Sequence, residues 1–172
     1  MSQNEEQTTK GPGKKPYLIG ALVGLVVGAI LCGAAVVVAM PKMMVVTQES
    51  ELGFDETVAA LESAIAEQGW VVSTVMDMNK SMAKHGVDFG PRVKVIKLCN
   101  AQYAQSVLTT DRHISTLMPC TFSVWEGDDG KVYLSRMNMS LMAKMFGGNI
   151  ADVMGGRVAK DERAMLSEIV KD

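Results

Sequence analysis

Two cysteines, Cys99 and Cys120, and one methionine, Met118, are the side chains in this sequence best suited to chemistry. Cys99 precedes Asn-Ala-Gln, and Cys120 directly follows Met-Pro. A cysteine just ahead of a helix start feels the positive helix end, which favours the thiolate. Met118 falls two residues before Cys120, on the same face of a strand. His85 closes a short helical segment and completes a sulfur and imidazole set of the kind that Cu(I) selects. The same residues also suit a haem axial pair or a thiol-reactive ligand. Two duller readings compete with a ligand site. In an oxidising compartment Cys99 and Cys120 would close a loop of about 20 residues by a disulfide, contributing on the order of 3 kcal/mol. Alternatively both are small buried hydrophobes, a common fate of free cysteine.

Other clusters carry weaker signals. There is no CxxC, no haem-attachment CxxCH and no group of histidines. Met137, Met139, Met142 and Met145 crowd one short stretch, where methionine more often packs a core than binds copper. Gly147-Gly148 and Gly155-Gly156 lack the GxxxxGK[ST] context of a phosphate loop and read as hinges or close contacts. No Ser-His-Asp order stands out, and His113 reads as an exposed turn residue. Asp161-Glu162 reads as a solvated helix face. The net charge of −2 and the lack of a basic stripe exclude a nucleic-acid surface.

The elements that must position these residues follow an uncharged stretch. Tyr17 to Met40 holds 24 residues without a charge, about 36 Å as a helix, enough to cross a bilayer core of about 30 Å. Its length exceeds a usual signal-peptide core, so an uncleaved transmembrane anchor is predicted. Ala-Ile-Leu before Cys32 is no lipoprotein cleavage box. Lys10, Lys14 and Lys15 precede the span and only Lys42 follows closely, which puts the N-terminus in the cytoplasm and the remainder in the periplasm or outside. Residues 1–16 read as a disordered tail, 17–40 as the span and 44–172 as one extracytoplasmic domain. Gly20, Gly24, Gly28 and Cys32 recur every four residues, a small-residue row that would let two such helices pair as a homodimer.

Pro41 ends the predicted span. Strands are predicted at 43–47, 70–76, 93–99, 114–126 and 131–137. A helix opens near Phe54 with Asp55 as its cap and buries Val58, Leu61 and Ile65 before Gly69. Asp77 caps a short segment that Gly86 stops. Asn100 caps a helix buried through Tyr103, Ala104, Val107 and Leu108. Along 114–126, Ile114, Met118, Cys120, Phe122 and Val124 share the core face, with Pro119 forcing a bulge or an edge. A last helix covers 150–170, weakened at Gly155-Gly156.

Leu98-Cys99-Asn100, Ala104, Leu108, Leu117-Met118-Pro119-Cys120 and Val124 together resemble the family called domain of unknown function 302. Thr57-Val58, Gly69-Trp70, the Asp77 to Gly86 segment and Asp129-Gly130-Lys131-Val132 fit it too. The resemblance covers about residues 44–170. It implies an α+β fold of strand-helix-four-strand-helix type, a curved antiparallel sheet with helices on one face, sometimes preceded by one transmembrane helix. Ala101, where proline often stands, and Ile114-Ser115, where glycine is common, depart from its pattern. The family has no settled activity, so the resemblance implies a fold and leaves the chemistry to the residues.

Overall fold

The computed structural model describes residues 15–118 and 120–171. Most of the predicted tail, and the bulge predicted at Pro119, lie outside them. Two compact units divide the chain, one up to Pro41 and one at Lys42–Asp172. The first is part of a single helix, α1 (Lys15–Met44). Its stretch Gly20–Met44 is long and apolar enough to cross a membrane. Pro41 does not end it as predicted: the helix continues through Pro41 to Met44. A proline removes one backbone donor, which a helix tolerates in its last turn more readily than in its middle.

The second unit begins with β1 (Val45–Glu49), two residues later than predicted because α1 overruns. Then follow α2 (Phe54–Glu67), β2 (Val71–Asp77), α3 (Met78–Ala83), β3 (Val93–Cys99) and α4 (Ala101–Thr110). A 3-10 turn at Arg112–Leu117 leads into β4 (Cys120–Glu126) and β5 (Val132–Met137). The chain closes with α5 (Met139–Phe146), α6 (Gly148–Ile150), a π-helical run at Ala151–Val158 and α7 (Ala159–Leu166).

The five strands form one antiparallel sheet in the order β1-β5-β4-β3-β2. Ile96, Leu98, Phe122, Val124 and Leu134 line its inner face. Against them pack Leu61 and Ile65 of α2, Val107 of α4, and Val153, Val158, Met165 and Leu166 of the C-terminal run. The outer face is more polar. There Thr47 and Ser135 share a hydroxyl hydrogen bond of 2.8 Å, and the Trp125 indole donates to Ser135 at 2.9 Å.

Local chemistry sets most boundaries. Asn100 Oδ1 accepts from the amides of Gln102 and Tyr103, and Asp77 Oδ1 from Lys80, as the sequence predicts. Gly69 and Gly86 end their helices at φ of +73° and +74°. The cap of α2 is Gly53 and not Asp55: Glu56 reaches back to the Gly53 amide at 3.2 Å, freeing Asp55 to pair with Arg92 and Lys94. The long strand predicted over 114–126 is also shorter. Its first part winds into the 3-10 turn, where Ile114 still reaches the core.

Gly155 explains the irregular C-terminal helix. A β-carbon placed there would lie 2.4 Å from Ala143 Cβ on α5. The π-helical run thus passes α5 at a distance only glycine allows. Gly155→Ala should destabilise the full-length protein by about 1–3 kcal/mol, with partial recovery in Gly155→Ala combined with Ala143→Gly. Urea unfolding in detergent measures this, and an unchanged midpoint in the single variant would refute the contact.

Candidate functional site

The β3–β4 ladder places the sulfur residues. Leu98 pairs with Cys120, and Val71 with Cys99. Cys99 is the last residue of β3, one position beyond Leu98, and borders the same space as Cys120. Cys120 is buried at the start of β4, whereas Cys99 is half-buried at the corner where β3 gives way to α4. Both are free, so the disulfide alternative is not realised.

Met118 does not share a strand with Cys120 as predicted, because it caps the 3-10 turn. Its backbone is nevertheless extended, at φ −112° and ψ 147°, and it borders the same space. Cys99, Met118 and Cys120 meet at one apolar cavity walled by Trp70, Tyr103 and Met154. Its volume is about 20 Å³. That suffices for about one water-sized body.

His85 is not part of this site. It lies exposed just beyond α3, which leaves the sheet at Asp77, paired with Lys94. Cys99 sits opposite Val71, at the other end of β2. Six residues of strand, about 20 Å, separate those ends. Gly20, Gly24, Gly28 and Cys32 lie on α1, with nothing within 4 Å of a β-carbon built on any of the three glycines. His113 is exposed as predicted.

The roof of the cavity is held by a carboxylate that the sequence reading put in solvent. Trp70 Nε1 donates to Asp161 Oδ2 at 3.0 Å, and Trp70 meets Tyr103 edge-on at 5.7 Å between ring centroids. Burial, with the nearby Asp161 carboxylate second, raises the Tyr103 hydroxyl above its ordinary range. The Cys120 thiol is pushed up to about 12, first by burial and then by the charge of Glu162. A thiol held that firmly protonated is a poor nucleophile.

Glu162 is the second correction. It is only 4 % exposed, and burial raises its carboxyl to about 7 against the opposing pull of Arg136 and Arg163. Its Oε2 stands 3.9 Å from Arg136 Nη1, beyond hydrogen-bond reach. The signal for this burial was present in the sequence. Val158, Glu162, Met165, Leu166 and Ile169 are spaced by three and four residues, so Glu162 interrupts an apolar stripe. Arg136 likewise stands two residues from Leu134, on the inward parity of β5.

The family model described as "Domain of unknown function DUF302" matches residues 46–172. The chain belongs to this family. The DUF302 match begins at the second residue of β1, after α1, and covers the rest of the sheet and its helices. An uncharacterized protein of Aquifex aeolicus (strain VF5) is 24% identical over 110 residues, covering 64% of this chain and 70% of that protein. The crystal structure of an uncharacterized conserved DUF302 protein from Bacillus stearothermophilus superposes with a TM-score of 0.65 at 21% identity, covering 73% of this chain and 98% of that one. That likeness establishes the fold. The DUF302 members compared carry no stated activity, so the chemistry rests on the residues above.

Glu162 imposes a pH dependence. The folded chain keeps this proton to about pH 7, whereas the unfolded chain releases it near 4.5. Between those values the folded state binds more protons, so stability falls as pH rises. The loss is on the order of 3 kcal/mol. Glu162→Gln should remove that decline and stabilise the protein at pH 8, read from urea midpoints across pH 4.5–8. A variant profile parallel to the parent would refute the assignment.

Proposed function

We propose that the domain at Lys42–Asp172 is a membrane-anchored binding domain that takes one soft metal cation, Cu(I) by preference, at Cys99, Met118 and Cys120. The observation that carries this reading is the meeting of two thiols and a thioether at one small apolar cavity. Thioether and thiolate select soft, low-coordinate ions. A cavity of about 20 Å³ suits a bare ion and is far too small for a haem. Among the described residues no group of three or more His, Cys, Asp or Glu side chains gathers, which favours a sulfur-only set over a zinc-type site. A cation would displace the Cys120 proton, so loading releases protons and strengthens as pH rises. The high pKa of Cys120 also argues against thiol redox catalysis. It favours a second reading, a non-catalytic interaction module in which the cysteines only pack.

In this proposal α1 crosses the cytoplasmic membrane once. The lysine-rich N-terminus stays in the cytoplasm and the domain lies outside. The row at Gly20, Gly24, Gly28 and Cys32 pairs two copies of the helix. Its open glycine face supports this reading.

Titration of the detergent-solubilised protein with Cu(I) against a chromophoric chelator should give one ion per chain. Cys99→Ser and Cys120→Ser should each abolish binding, and Met118→Leu should weaken it about tenfold. Equal uptake by parent and both cysteine variants would leave the interaction module standing. For the anchor, oxidative crosslinking at Cys32 in membranes should yield a dimer that Gly24→Ile removes. Monomer alone in the parent would refute helix pairing.

A further inference from the structure

A second cavity lies between the β1–β5 edge and the helices α5 and α7. Its volume is about 190 Å³, and Arg136, Asn138, Ser140, Glu162 and Arg163 line it. Arg136 enters from the inner face of β5 and is poorly served there. Its Nη2 donates to Gln48 Oε1 at a long 3.3 Å, and its Nη1 stands 3.9 Å from Glu162 Oε2, an ion pair without a hydrogen bond. Its Nε is buried and has no hydrogen-bond partner. A guanidinium carries five donors in a fixed fork, and burying them without acceptors is costly.

Most of the surroundings are cationic or donors. Arg163 stands exposed at the mouth and forms no ion pair among the described residues. The N-terminus of α5 opens on the same space. Its cap Asn138 satisfies only the Leu141 amide through Oδ1, at 3.1 Å, and the Met142 amide through its carbonyl. The amides of Met139 and Ser140 have no acceptor within their helix, and they carry the positive end of its dipole. Ser140 adds a hydroxyl. The one acid is Glu162, 95 % buried as a side chain, which Arg136 does not hydrogen-bond. From β4 the neighbouring group is the neutral Cys120 thiol.

We propose that this cavity binds a tetrahedral oxyanion of the phosphate type, held by Arg136, Arg163, Ser140 and the first amides of α5. Donors converge here from a strand, a helix face and a helix start, so a tetrahedral set of oxygens serves them together. A planar carboxylate would serve the arginines alone. Glu162 in its neutral form donates to the anion; ionised, it opposes it. The site does not depend on the soft-metal reading. The anion has two sources. Val46 in the cavity wall follows α1 by two residues, and Asn138 donates to the carbonyls of Met43 and Met44. If α1 spans a bilayer, phospholipid phosphates lie close to this cavity; otherwise a free anion fills it.

Sulfate is the probe, because its charge is constant between pH 6 and pH 8. Calorimetric titration of the full-length protein in a phosphate-free detergent should show saturable binding of one sulfate per chain. Arg163→Gln, an exposed change that spares folding, should weaken it about tenfold. Glu162→Gln should strengthen it about tenfold at pH 8 and little at pH 6. No saturable heat, or binding unchanged by both substitutions, would overturn the proposal. The same titration in phospholipid nanodiscs separates the sources. Loss of sulfate binding there assigns the site to a lipid headgroup, and equal binding assigns it to a free anion.

Discussion

The C-terminal helix must bury Val158, Met165, Leu166 and Ile169 against the sheet, and two acids travel with them. Burial of those four side chains contributes several kcal/mol of apolar transfer free energy. That gain sets the rotation of α7 about its axis, and no rotation that buries the stripe leaves Glu162 in water. Asp161, one residue earlier, faces the neighbouring angle and finds the Trp70 indole. The adjacent carboxylates therefore meet different fates: one is hydrogen-bonded into the roof of the sulfur cavity, the other is buried without a hydrogen bond beside Arg136.

The chemistry of the two cavities differs because their walls do. Around the first, aromatic rings, Met118 and Met154 exclude water and charge, which raises the Cys120 thiol and suits a soft, weakly hydrated partner. Around the second, arginines and a helix start supply donors without acceptors. Glu162 links them electrostatically, since its charge helps to raise Cys120.

Close packing constrains the same region. Gly155 lets the π-helical run pass Ala143 more tightly than any β-carbon permits, and the chain reaches α7 only after that passage. Behind α7, the terminus is tied back onto β1. Ser50 pairs with Val170, Ser50 Oγ donates to the Ile169 carbonyl at 3.1 Å, and Lys171 meets Glu49. The floor and roof of both cavities are thus clamped at each end of the last helix.

Local signals were enough for much of this. Asn100 and Asp77 cap as side chains that mimic a backbone acceptor, Gly69 and Gly86 take positive φ, and Val93–Cys99 and the Gly127–Gly130 turn lie where pattern puts them. The apolar length of α1, the alternation from Cys120 to Val124 and the α+β class were legible for the same reason: each depends on residues a few positions apart. The site was legible only in part. Cys99, Met118 and Cys120 converge as their spacing suggests, but the deeper burial of Cys120 and the remoteness of His85 follow from which strands pair and in what register. Asp161 and Glu162 look alike in sequence, and only the sheet beneath α7 separates them. Caps and periods are set by near neighbours along the chain. Burial of charge is set by residues 26 to 91 positions away.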